Sequence, residues 1–278
     1  MILTNFWSDF YTKYIGYGEY QRGLIAGLNT TWGVFSKYHL ILMISLLSSF
    51  VLFTYLTRNA TSKNLEKYQK IVSIVMLVLE VFRTIWLQVY KDEIFFQQDN
   101  IIRYDYCNQV CLFLPILCLL GVKELYPFMA AVAFWGGGAV MLYPLNIFRF
   151  YGGWHIMPIQ SMISHGLMFL SSINLTRIHK ISLKHDFFIS TIGFLMMAGF
   201  SLFYNAERGE NFMAFKESSG VPIVALMPNP INKIAIISIV VLGIFLYLLV
   251  SKHFEQKFLC TDLKEKKSYD IQESDSTL

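Results

Sequence analysis

Charge is scarce in this chain of 278 residues: Asp, Glu, Lys and Arg supply only 15% of it, against 55% hydrophobic residues and a mean hydropathy of +0.46. A soluble domain of this length cannot hide so much apolar surface in one core. The apolar and aromatic content is too high for a disordered chain. A net charge of +4 with no basic stripe excludes nucleic-acid binding. Cysteine is also rare, four in all, and Cys107, Cys111 and Cys118 share one apolar stretch, which is no disulfide framework. No CxxC or HxxxH spacing suggests a metal, and neither metal nor cofactor is expected.

What the chain has in abundance is long apolar runs. A helix needs about 20 mostly apolar residues to cross the hydrocarbon. Seven stretches qualify: 38–57, 70–90, 104–121, 125–143, 156–175, 187–205 and 232–251. The expected fold is therefore all-α, a polytopic membrane bundle of about seven transmembrane helices over 38–251. Residues 1–37 form an N-terminal segment whose aromatic residues suit the membrane interface, without the h-region of a signal peptide. Residues 252–278 form a mobile cytoplasmic tail. Val122-Lys123-Glu124 alone separates the third and fourth runs, a tight helical hairpin, and Gly136-Gly137-Gly138 in the fourth allows close helix approach. Lys and Arg number thirteen in the connections on one side and eight on the other, which favours N-out, C-in. The expected location is the cell membrane.

An ionisable side chain inside a bilayer costs several kcal/mol, roughly, so each one there is a functional hypothesis. His39, Asp105, Cys107 and Asn205 fall near the outer ends of their spans; Glu80 and His165 lie deeper. Asn108, Gln109 and Gln160 add hydrogen-bonding groups. Polar groups on six helices are cheapest if they converge on a shared cavity. Glu80 and Arg83 at i,i+3 form either a self-neutralising structural pair or a carboxylate that orients an imidazole or a headgroup. Cys111 and Cys118 read as packing residues, whereas Cys107 sits in polar company. A histidine on another helix can take a thiol proton and leave the attacking thiolate, which makes Cys107 and His165 a candidate pair. Counted from the starts of their spans, the two differ in depth by roughly 9 Å, and meet only if the third helix starts earlier or the helices tilt.

These residues also carry a likeness. Ser36-Lys37-Tyr38-His39, Glu80, Tyr106-Cys107-Asn108, Pro144, Ser164-His165-Gly166, Asn205 and Asn211-Phe212 occur in an order and spacing covering most of residues 36–250. On these motifs the chain resembles the YwaF-like bacterial integral membrane proteins, and through them the eukaryotic transmembrane acyltransferase that remodels ether phospholipids. That family more often reads Leu-His-Leu-Cys-Asp where this chain has Arg103 to Asn108. Asp105 or Tyr104 stands at the histidine, and Asn108 at the aspartate. The resemblance implies a catalytic dyad, Cys107 as the acyl-accepting nucleophile and His165 as general base.

The favoured expectation is an acyltransferase or thioesterase-like enzyme taking an acyl chain from a membrane phospholipid. The acceptor would be a lysophospholipid, a lipoprotein amine or water. Asn108, Asn205 or Gln160 would donate to the oxyanion, and Glu80 or Asp105 would hold the imidazole tautomer. The competing expectations are a non-enzymatic transporter or proton or lipid pathway lined by His39, Glu80 and His165, and a structural subunit whose polar residues only join helices. The loop 206–231 reads equally as a lid or as an acceptor contact.

Overall fold

The computed structural model describes residues 36–90, 106–142, 155–208 and 230–255, and among these every regular element is helical. The helices are α1 (Lys37–Leu56), α2 (Ser62–Val89), α3 (Tyr106–Leu120), α4 (Tyr126–Leu142), α5 (Ile156–Ile178), α6 (Leu183–Arg208) and α7 (Ile231–His253), with a short 3-10 turn, Lys123–Leu125, between α3 and α4. Each corresponds to one apolar run of the sequence. Six are long and apolar enough to cross a membrane, and α3, with 15 residues, is shorter. The front of the third run, along with Asp105, Pro144, Asn211-Phe212, residues 1–35 and the tail beyond Glu255, lies outside the described residues.

The helix ends follow ordinary capping chemistry. Ser36 accepts from the His39 amide (3.3 Å) to start α1, and Thr61 accepts from the Asn64 amide (3.4 Å) to start α2. The α2 start is eight residues ahead of the apolar run. Hydropathy sees only the hydrocarbon portion, whereas the helix continues through Lys63, Glu66, Lys67 and Lys70, where Lys123 of the 3-10 turn pairs with Glu66. At the end of α3, Gly121 takes φ +72°, with the Gly121 amide on the Cys118 carbonyl (3.3 Å) and the Val122 amide on the Leu117 carbonyl (3.1 Å). This is the left-handed C-terminal cap that turns the chain sharply into α4. Asp186 accepts from the Ser182 amide at 2.9 Å and so caps α6 from inside.

α4 and α5 form the centre: 61% of the apolar window of each is buried, against 11% for α1 and 22% for α2 and α7. Ala130, Ala131, Val132 and Ala133 are all but inaccessible within α4. The outer helices present Val51, Leu56, Val78, Val81, Phe188, Phe203, Ile234 and Leu242 outward. So extensive an apolar exterior is matched to lipid rather than water.

Apolar attraction between helices is weak in lipid, so packing and interhelical hydrogen bonds carry the association. The tightest approach is at Gly137, where a Cβ would lie 2.5 Å from the His165 carbonyl oxygen and 2.8 Å from the Phe169 nitrogen. Those are backbone atoms of α5 and cannot swing away. At Gly136 the obstacles are the ends of the Met168 and Tyr106 side chains, and at Gly138 a Cβ meets only ordinary contacts at 3.6 Å. We therefore expect Gly137→Ala to destabilise the fold by about 1–3 kcal/mol or more. Gly136→Ala should cost less, and Gly138→Ala should be neutral or stabilising, since Ala is the better helix former by about 1 kcal/mol. Thermal unfolding of the three variants in detergent measures the order; equal transitions would contradict the backbone contact.

Candidate functional site

Of the sequence-selected polar residues, Cys107 and His39 reach α4 from α3 and α1, while Gln160 and His165 lie on the neighbouring α5. Tyr106 opens α3 with its hydroxyl donating to the Val132 carbonyl of α4 at 2.9 Å, and its ring fills the notch left by Gly136. The next residue, Cys107, is thereby set with its Sγ 4.0 Å from the Gly136 carbonyl oxygen. One residue along α4, Gly137 lies against the backbone of His165. Successive helical residues rise only about 1.5 Å, so Cys107 and His165 approach α4 at nearly one level. The expected mismatch in depth arose from starting every span at a common plane. α3 instead meets α4 at Gly136, six residues inside the Leu142 end of that helix.

His165 is 9% exposed, and its Nδ1 lies 2.7 Å from the Ser161 carbonyl oxygen and 3.4 Å from the Ser161 hydroxyl. A carbonyl can only accept, so Nδ1 carries the proton and Nε2 is the nitrogen with the lone pair. A backbone carbonyl of the same helix thus orients the imidazole. Glu80 is engaged elsewhere: Arg83 Nε donates to one of its carboxylate oxygens at 3.0 Å and Nη2 to the other at 2.5 Å. Both side chains are largely shielded, at 12% and 15% exposure for Arg83 and Glu80.

His39 is fully buried and its Nε2 donates to the Met141 carbonyl at 2.7 Å, fastening α1 to the end of α4. Gln160 donates to the Ser164 hydroxyl (3.0 Å) and to the Leu79 carbonyl of α2 (3.3 Å), next to Glu80. Its Oε1 is buried with no partner among the described residues. Asn108 and Asn205 are half-buried. Gln109, beside Asn108, ties α3 to α6 through the Ser201 hydroxyl (2.7 Å) and the Met197 carbonyl (3.3 Å), near Asn205. Gly166 admits α1, whose Phe50 ring a Cβ there would meet at 2.8 Å. Among the described residues no three His, Cys, Asp or Glu side chains converge as a metal site would need.

Sequence reasoning missed a second polar layer. Gln69 of α2 donates to the Ser171 hydroxyl (2.9 Å) and toward the Cys118 sulfur (3.8 Å), and accepts from Asn174 (3.4 Å). Gln69 falls one residue ahead of its apolar run, and so escaped attention. A signal did exist on α5, where Gln160, Ser164, Ser171 and Asn174 recur at helical spacing and define the face turned to α2. Cys111 meets the Met168 sulfur at 3.3 Å, which accords with a packing role. Arg177, buried at 3% exposure, donates to the Thr57 hydroxyl at 2.8 Å and to the Thr57 carbonyl, closing α5 onto the end of α1. The last described residues pack as well: Glu255 accepts from the Ile181 amide at 2.9 Å, and Lys252 bridges Glu255 and the Ile181 carbonyl.

The model of the TMEM164 family matches residues 34–251, from just ahead of the α1 cap almost to the end of α7, and the chain belongs to that family. No curated protein and no solved structure matches it. Family and helices together make it a multi-pass membrane protein.

Leaving one charge of a shielded pair uncompensated costs about 3–5 kcal/mol, whereas removing both is far milder. Arg83→Leu alone should therefore lower the unfolding temperature more than Glu80→Leu with Arg83→Leu together. Calorimetry or thermal fluorescence of the purified variants checks this, and a double variant worse than either single one would show that the pair is not self-contained.

Proposed function

We propose that this chain is an integral membrane acyltransferase working through Cys107 and His165. The observation that carries the reading is that the Cys107 sulfur and the His165 main chain meet α4 at the adjacent glycines Gly136 and Gly137, with the His165 tautomer leaving its Nε2 lone pair as the basic site. The motif resemblance supports the same assignment. Nε2 takes the Cys107 thiol proton, and the thiolate attacks the ester carbonyl of a phospholipid, forming a carbon–sulfur bond. The tetrahedral intermediate collapses with cleavage of the ester carbon–oxygen bond, and the imidazolium returns its proton to the departing lysolipid oxygen. His165 then deprotonates the acceptor, a lysophospholipid hydroxyl, a lipoprotein amine or water. The acceptor attacks the thioester and restores the thiol.

Positioning of the imidazole falls to the Ser161 carbonyl, since Glu80 is held by Arg83. Asn108 and Asn205, half-buried toward the Cys107 end of the bundle, are the amides best disposed to stabilise the oxyanion, together with Gln160. The Lys and Arg bias supports placing that end outside. The lipid is the substrate, at the membrane in which the chain resides.

The test is lipid mass spectrometry on vesicles containing the intact chain, Cys107→Ala, His165→Gln and Glu80→Gln. Cys107→Ala is expected to abolish redistribution of acyl chains, and the wild type to carry a hydroxylamine-labile acyl group on Cys107. His165→Gln should slow transfer by about 10²–10⁴-fold, the usual worth of a general base. Undiminished turnover in Cys107→Ala would overturn the proposal. Tolerance of Cys107→Ala together with loss of function in Glu80→Gln would point instead to a pathway through the bundle.

A further inference from the structure

On the side of α5 away from α2, the bundle leaves a lateral groove of about 350 Å³ between α4, α5 and α7. Its walls are Phe134 and Trp135 from α4, Ile173 from α5, and Leu246 and Val250 from α7. Trp135, Leu246 and Val250 are 40%, 44% and 54% exposed, so the groove opens to the outside of the bundle. Four hydroxyl-bearing residues line it: Ser172, Thr176, Tyr247 and Ser251. Ser172 and Tyr247 bond at 2.9 Å, Thr176 donates to the Ser172 carbonyl at 2.8 Å, and Thr176 and Tyr247 also bond to each other. Ser172, Thr176 and Tyr247 satisfy one another, so the groove holds polar atoms without demanding a polar occupant.

Depth places the groove in the membrane. Ser172 and Tyr247 are each six residues from the ends of α5 and α7, about 9 Å inside the bundle, and Trp135 is nine residues from the start of α4, about 13 Å inside. All three ends lie on one side, because α4 runs antiparallel to α5 and α7. That depth is the upper hydrocarbon of one leaflet. The volume lies at the lower edge of small-molecule sites, roughly 300–1,000 Å³. The upper end is shaped by the Trp135 indole, which approaches α7 closely because position 243 is glycine; a Cβ there would sit 3.1 Å from the indole nitrogen.

We propose that this groove is a binding site for one acyl chain of a membrane lipid. It is separate from the Cys107–His165 region, reached from another face of α4, and it stands whether or not the acyltransferase reading holds. The occupant is hydrocarbon. The self-satisfied hydroxyls set where the apolar chain gives way to the glycerol ester, and Trp135 sets how much of the chain is held.

The full chain in phosphatidylcholine vesicles, with a trace of phosphatidylcholine carrying a diazirine on one acyl chain, provides the test. Irradiation and peptide mapping should label residues 172–176 and 246–251 several-fold more than the equally lipid-facing 51–56 of α1. Val250→Trp and Leu246→Trp, each at an exposed wall position, should fill the groove and remove the excess without changing the label on α1; Val51→Trp should leave the groove label intact. Equal labelling of groove and α1 would reduce the site to annular lipid and overturn the proposal. So would groove labelling that survives both filling variants. Efficient disulfide crosslinking of Val250→Cys to a second copy, with the groove unlabelled, would assign it to self-association instead.

Discussion

The backbone of α4 touches the backbone of α5 at Gly137, and the remainder of the bundle is arranged around that contact. No side chain stands between the Gly137 Cα and the His165 carbonyl. Because the two central helices meet so closely, Gly136 can receive the Tyr106 ring, which anchors the start of α3 and carries Cys107 with it. The close approach and the candidate site thus depend on the same adjacent glycines, Gly136 and Gly137, and a side chain at 137 would push α4 off the His165 backbone as well as loosen the core.

Around this contact the interhelical hydrogen bonds work at distinct levels. His39 secures α1 to α4 at one end, and Arg177 secures α5 to Thr57 at the other. Gln109 with Ser201 and Gln69 with Ser171 and Asn174 occupy levels between. Side-chain polar groups in lipid must find partners within the protein, and these pairs meet part of that demand while fixing the helices in rotation; Asn174 Oδ1, like Gln160 Oε1, is buried with no partner among the described residues. α5 carries two polar stripes. One, through Gln160, Ser164, Ser171 and Asn174, turns to α2; the other, through Ser161, His165, Ser172 and Thr176, runs from the imidazole to the lateral groove. The helix therefore serves both the candidate catalytic residue and the lipid-facing groove without the two sharing a cavity.

Much of this was legible before any coordinates. The seven apolar runs, the turn at Val122-Lys123-Glu124 and the glycine triplet each reappear as elements or contacts, because bilayer thickness and backbone sterics act on local sequence. The Glu80–Arg83 pair was legible too, since i,i+3 spacing suffices to bring the groups together. Gln69 was not, because its partners lie about a hundred residues away and its own surroundings are those of a helix end. The Ser161 carbonyl as the partner of His165 was equally invisible, since a main-chain acceptor leaves no mark on residue identity.

By itself, then, the sequence determined the class of the molecule: a membrane bundle, the seven apolar helices among its described residues, and most of the polar groups confined within it. Those follow from hydrophobicity and length, which the bilayer reads residue by residue. The relative levels of the helices were decided only in three dimensions. The offset of α3, which brings Cys107 to the height of His165, depends on a tyrosine ring entering a notch on another helix, and the lateral groove depends on three helices failing to close. Both are properties of packing between distant segments, and no spacing along the chain encodes them.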